Sequence, residues 1–336
     1  MLSRRHLVLA LACLPLVGSI AQAQTFRERM RQRMAERMGA DRAPGSKEFA
    51  YGPDALQKLD FWRPDTATTA VPLVIFVHGG GWRMGDKSNA TGATKVQHLL
   101  GQGYAVASID YRLVPAATVE EQAADVAASV AWLRGKADEL RIDPTRIVLM
   151  GHSAGAHLVA LVGTDPHYFE AASLSYRDLK GVIALDGACY DVPRQIADGG
   201  QFMHDTYIQA FGSDPARQKA LSPTLHAAAP NAASFLILHV DRSDGTVQSE
   251  ALAAALRAAG TSVELTGFDG KGLRGHMAIN RDLGSAEYPA TPVVDTWLKR
   301  IFTDLKVSTQ PHPVDRLRRG TLSPIFSSVN GGTGFL

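Results

Sequence analysis

Met150-Gly151-His152-Ser153-Ala154-Gly155 stands between two apolar runs, Arg146-Ile147-Val148-Leu149 before it and Ala156-His157-Leu158-Val159-Ala160-Leu161-Val162 after it. The first run is short and β-branched at its centre, which predicts a buried parallel strand. The second is Ala/Leu-rich and long enough for a buried helix. Between them lies Gly-x-Ser-x-Gly, the pattern of a nucleophile elbow. A serine at so sharp a turn takes a strained backbone conformation, and bulky neighbours two residues either side would collide across it. Gly151 and Gly155 remove that collision. The turn also points a helix N-terminus at whatever Ser153 attacks and leaves the Ala154 amide free to donate. The pentapeptide alone fits an ordinary glycine-rich turn as well, so the nucleophile reading needs partners elsewhere in the chain.

Outward from this stretch the pattern is regular. Glu48–Gly52 and Gln57–Trp62 read as two antiparallel strands joined at Pro53-Asp54. Val71 to His78 is a continuous buried strand. A helix over 87–102, a strand Tyr104–Asp110 and a helix Val119–Leu140 lead to the Ile147 strand and the elbow helix. Beyond come a strand Gly181–Leu185, an irregular insert from Asp186 to Asn231, and a strand Ser234–His239. A helix over 246–259, a strand Ser262–Phe268 and a last helix near 290–305 complete the pattern. Alternating strands and helices with buried strands predict one α/β domain over 47–306, a mostly parallel sheet with helices on both faces. No internal repeat is visible.

His78-Gly79-Gly80-Gly81-Trp82 falls where the Val71 strand ends. Successive glycines let the backbone approach a ligand and present amides with no side chain in the way. The amides of Gly80 and Gly81, with that of Ala154, would form an oxyanion hole, each well-placed donor being worth roughly 3–4 kcal/mol to a tetrahedral oxyanion. A phosphate loop is disfavoured because no Gly-Lys-Ser/Thr follows.

His-Gly-Gly-Gly-Trp, then Asp110-Tyr111-Arg112-Leu113-Val114-Pro115, then Gly-His-Ser-Ala-Gly resembles the α/β-hydrolase fold, specifically esterases related to hormone-sensitive lipase. Tyr51-Gly52 and Leu59-Asp60-Phe61-Trp62-Arg63-Pro64 are also similar to bacterial acetyl/feruloyl esterases and kynurenine formamidases. The resemblance covers roughly 49–305. It implies a triad in the order Ser, acid, His. The histidine would stand in the last loop, Gly270-Lys271-Gly272-Leu273-Arg274-Gly275-His276-Met277, where His276 is the single histidine. His152 lies inside the elbow, and His157 on the buried helix reads as a satisfied core residue. Relatives usually carry the acid four residues beyond the strand-ending histidine, here His239, but that position is Ser243. Asp241 and Asp244 straddle it, and Asp244, just before a helix, is the preferred candidate; Asp241 beside Arg242 reads as a local pair. The resemblance implies two-step acyl transfer from Ser153 with His276 as base, and it requires no cofactor. No His-Glu-x-x-His or Cys/His cluster suggests a metal.

The remaining features bound the setting. Residues 1–23 read as a signal peptide: a basic start with Arg4-Arg5, an apolar Leu7–Ile20, and Ala21-Gln22-Ala23 before the cut, with Ser3-Arg4-Arg5-His6-Leu7-Val8 similar to a twin-arginine signal. Export to the periplasm or beyond is expected. Residues 24–46 form a basic leader with Phe26, Met30, Met34 and Met38 at helical spacing, and 307–336 a loose tail. The chain carries 35 Lys+Arg against 33 Asp+Glu, and the two arginines of the signal account for the excess. A balanced mature chain has no general electrostatic reason to bind nucleic acid, and no apolar run is long enough for stable membrane insertion. Of two cysteines only Cys189 lies beyond the signal, so no internal disulfide is expected. Cys189-Tyr190-Asp191 either line the acyl pocket or pack a loop. The insert is too short for a large lid, which favours a small-molecule or polysaccharide-linked ester substrate. The expectation is a serine carboxylesterase for short-acyl or aromatic esters. An arylformamidase, a peptidase and a non-catalytic binding protein that keeps the fold are the alternatives; oligomeric state is open.

Overall fold

The computed structural model describes residues 43–198, 200–228 and 230–303. The expected signal segment 1–23, nearly all of the leader 24–46 and the tail 307–336 lie outside them. Eight strands form one sheet: β1 (Lys47–Ala50), β2 (Lys58–Trp62), β3 (Val71–Val77), β4 (Ala105–Ile109), β5 (Ile142–His152), β6 (Gly181–Leu185), β7 (Ser234–Asp241) and β8 (Ser262–Lys271). Their order is β1-β2-β4-β3-β5-β6-β7-β8. The β1/β2 and β2/β4 pairings are antiparallel and every later pairing is parallel. Pro72 cannot donate to the ladder, and the register between β3 and β5 shifts between Val71 and Leu73.

The longer helices are α1 (Ala93–Gly101), α2 (Val119–Gly135), α3 (Ala154–Thr164), α4 (Val192–Asp198), α5 (Gln201–Phe211), α6 (Ser243–Ala258), α7 (Gly272–Arg281) and α8 (Ala290–Thr303). Alternate residues of β3 divide between two apolar cores. Leu73, Ile75 and Val77 pack with Val126 and Val130 of α2 and Leu158 of α3. Val74 and Phe76 pack with Val96 and Leu99 of α1 and Val294 and Trp297 of α8. Both faces of the parallel strands are therefore covered, which is why they read as unbroken apolar runs. Among the described residues no helix is long and apolar enough to cross a membrane.

Several elements differ from expectation. The helix over 87–102 is split into a turn at Lys87–Ala90 and α1, with Gly92 at φ +77° between them. The helix expected to run to Leu140 stops at Gly135, and a separate turn closes on Arg141 in a left-handed conformation, φ 54°. The insert Asp186–Asn231 is largely helical rather than irregular. Its Asp214-Pro215 and Ser222-Pro223 pairs are helix starts: Asp214 accepts from the amides of Ala216 and Arg217, and each proline occupies the first helical turn, where no donor is needed.

Candidate active site

The parallel register places the reactive groups. β5 and β6 pair so that His152 lies opposite Leu185. Ser153 and Asp186, the next residue on each strand, thus emerge side by side at the C-terminal edge of the sheet, where open α/β sheets bind ligands. Ser153 sits at φ 57°, ψ −119°, and its amide donates to the Leu185 carbonyl at 3.0 Å. The glycines around it are sterically required. A Cβ on Gly155 would stand 2.1 Å from the Val77 carbonyl oxygen, and one on Gly151 would stand 2.2 Å from that of Gly155.

Ser153 Oγ lies 3.0 Å from His276 Nε2, and His276 Nδ1 lies 2.5 Å from Asp186 Oδ2. With Nδ1–H donating to the carboxylate, Nε2 is left to accept the serine proton. Asp186, not Asp244, is the acid against the imidazole, which corrects the expectation. Asp244 lies on the first turn of α6, where its Oδ2 accepts from Arg242 Nη1 at 2.8 Å and from Gln195 Nε2 at 3.2 Å. Asp241, the other candidate, is exposed at the end of β7. The reason is lateral. Asp186 is fully buried beside β7, with its Oδ1 accepting from the Val240 amide at 3.2 Å and its own amide donating to Leu238 at 2.7 Å. Burial would raise its pKa, but the His276 bond, the Arg242 charge and the Val240 amide together hold it below the usual carboxylate value.

His276 also differs in setting. It lies on α7, not in a loop, because the glycines before it fold back tightly: a Cβ on Gly275 would meet the Gly270 carbonyl carbon at 2.4 Å. His152 donates from Nε2 to the His276 carbonyl at 2.8 Å, holding the backbone of that histidine. His157 is the satisfied core residue expected, donating to Leu221 at 2.8 Å and accepting from Trp82 Nε1 at 3.3 Å.

The glycine loop faces the serine. A Cβ on Gly79 would come within 3.0 Å of Ser153 Cβ, and Gly81 lines the same cavity as Ser153 and His276. Gly80, at φ +125°, turns the chain so that its carbonyl accepts from Arg83 and Met84. Among the described residues none accepts from the Gly80 or Gly81 amides. Ala154 is the first residue of α3, so its amide belongs to the unpaired first turn. The Asp110-Tyr111-Arg112 motif supports this loop from behind. The Tyr111 ring stacks on His78 at 4.3 Å and its hydroxyl donates to the His78 carbonyl, while Arg112 grips Asp125 of α2.

The cavity above Ser153 measures about 280 Å³ and is walled by Trp82, Ala188, Met203, Tyr207 and Leu273, with Arg242 and Asp244 at one side. Cys189 is buried behind Ala188, and burial pushes its thiol well above its ordinary pKa. Among the described residues no group of three or more His, Cys, Asp or Glu side chains is gathered as for a metal ion.

The BD-FAE family model matches residues 59–256, more than half of the chain. The chain belongs to the BD-FAE family. Esterase LipC of Mycobacterium tuberculosis is 38% identical to this BD-FAE chain over 126 residues, 36% of the chain and 31% of LipC. Isoprenylcysteine alpha-carbonyl methylesterase ICME of Arabidopsis thaliana is 28% identical over 240 residues, 67% of the chain and 55% of ICME. The BD-FAE chain thus spans about a third and about half of the length of these relatives. Esterase B from Lactobacillus rhamnosis superposes with a TM-score of 0.67 at 24% identity, over 84% of this chain and 93% of that one. That likeness is one of fold, and the fold is the α/β-hydrolase fold expected from the motifs.

Proposed function

We propose that this BD-FAE chain is a serine carboxylesterase with Ser153 as nucleophile, His276 as general base and acid, and Asp186 as the orienting carboxylate. The observation that carries this reading is the unbroken line Ser153 Oγ–His276 Nε2 and His276 Nδ1–Asp186 Oδ2 at the foot of the cavity. As Ser153 attacks the ester carbonyl, His276 takes the hydroxyl proton. The carbonyl π pair moves onto oxygen, where the amides of Gly80, Gly81 and Ala154 receive it. Collapse expels the alcohol, protonated by His276. Water then repeats the sequence on the acyl-enzyme and releases the acid.

Short-acyl or small aromatic esters suit the cavity, whose walls are mainly apolar and whose volume, about 280 Å³, has room for a modest group. The twin-arginine-like start supports an exported enzyme that meets its ester outside the cytoplasm. Replacing Ser153 by Ala is expected to abolish turnover of p-nitrophenyl acetate and labelling by a fluorophosphonate. Undiminished turnover or labelling in that variant would remove the assignment. Rates on methyl ferulate, acetylated xylan and N-formylkynurenine, measured side by side, separate the ester reading from an arylformamidase.

A further inference from the structure

We propose that Arg242 is a positioning residue for the triad acid, and that Asp244 holds Arg242 and offsets its charge. This rests on the esterase reading given above. Arg242 Nε donates at 3.2 Å to Asp186 Oδ2, the same oxygen that receives His276 Nδ1. Its Nη2 donates to the Gly187 carbonyl at 3.0 Å and its Nη1 to Asp244 Oδ2 at 2.8 Å. A planar guanidinium fixed at three acceptors cannot swing away from the carboxylate. The site is shaped for it: a Cβ on Gly245 would stand 2.7 Å from Nη2. Asp186 needs such restraint. It sits at φ +43°, a conformation that persists only where its surroundings over-determine it. Val240 and Arg242 each hold one carboxylate oxygen, leaving His276 a fixed acceptor.

The charges give this arrangement a signature. Facing the His276–Asp186 pair are His152 of the elbow, with Lys95 of α1 behind it, Tyr190 after β6 and Tyr288 before α8, while Cys189 and Tyr207 of α5 face Arg242 and Asp244. Burial holds all six toward their neutral forms. Arg242 forms ion pairs with both Asp186 and Asp244. Removing the Arg242 cation favours protonated His276, and removing the Asp244 anion disfavours it.

The test is the pH profile of kcat/KM for p-nitrophenyl acetate with the full chain. Arg242→Met should lower kcat about 10–100-fold, the range seen when an outer supporting group is lost. Its KM should stay within about threefold, and its acidic limb should move up by roughly 0.5–1 pH unit. Asp244→Asn should move the limb the opposite way with a kcat loss below about tenfold. Arg242→Lys keeps the charge but not the fork, so its limb should stay while kcat falls; with Asp244→Asn it carries the test if the methionine variant does not fold. Limbs that stay put in both charge-removing variants, or move together, overturn the proposal. So does a KM rise at unchanged kcat, which would make Arg242 a substrate contact. Failure of the esterase reading is distinct: it appears as full turnover in Ser153→Ala.

Discussion

At the scale of single residues, the proposed triad joins two positions visible in the sequence and one that is not. Ser153 is marked by glycines two residues either side, and His276 by being the single histidine in its segment. Spacing along the chain, counted from His239, points to Asp244. Asp186 is selected across the sheet instead, because β6 lies beside β5 and ends level with it. The one local hint is an acid directly at the end of a buried strand, followed by Gly187. The two aspartates can be told apart by experiment. Asp186→Asn should lower kcat by about 10³–10⁴-fold, since the imidazole loses its tautomer and its counter-charge. Asp244→Asn should cost less than about tenfold. Equal losses in both, measured on p-nitrophenyl acetate, would contradict the geometry.

At the scale of elements, the elbow depends on how closely α3 sits on the end of β3. Gly155 has no room for a methyl group because the Val77 and His78 carbonyls lie 2.1 and 2.5 Å from where its Cβ would be. Gly155→Ala must push α3 off the strand. The expected cost is at least about 2 kcal/mol in urea unfolding, with kcat falling as Ser153 shifts. Gly135→Ala at the end of α2 is the contrast. Nothing lies within 4 Å of that Cβ, so the change should be neutral or stabilising by up to about 1 kcal/mol. Similar losses at both glycines would mean that close packing at the elbow is not what requires Gly155. The helix α2 also shows an element legible in advance: Thr118 accepts from the Glu121 amide while Glu121 Oε2 accepts from the Thr118 amide. The insert is less legible, because its helices are short and Pro215 and Pro223 start two of them.

At the scale of the molecule, buried histidines make stability depend on pH, and His78 and His157 join His152 in this. His78 and His157 are fully enclosed, and burial pushes both imidazoles down to about 4 from an ordinary 6.5. Below about pH 6.5 the unfolded chain takes up protons that the folded chain refuses. Stability is therefore full above that pH and is lost as pH falls toward 4. Each histidine should account for about 2 kcal/mol by pH 5. Urea unfolding at pH 7 and pH 5 checks this, and a double His78→Gln, His157→Gln variant should shrink the difference, leaving the share of His152. An equal slope in wild type and double variant would place the acid sensitivity elsewhere. Asp186 titrates below its ordinary value and so adds nothing in this window.

By itself the sequence determined the class of fold, the order of the strands, the elbow around Ser153, the segment that carries His276 and the glycine loop. All of these are written in local steric needs or in periodic burial: a turn too tight for side chains, a strand buried on both faces, a helix with a cap. Only the tertiary structure shows which carboxylate lies against His276 and that Arg242 lies beside it. Which strands lie side by side, and where each one ends relative to its neighbour, is set by packing across the sheet, and no spacing along the chain carries it. Register at the sheet edge thus put Asp186 against His276 and left Asp244 to hold the arginine between them.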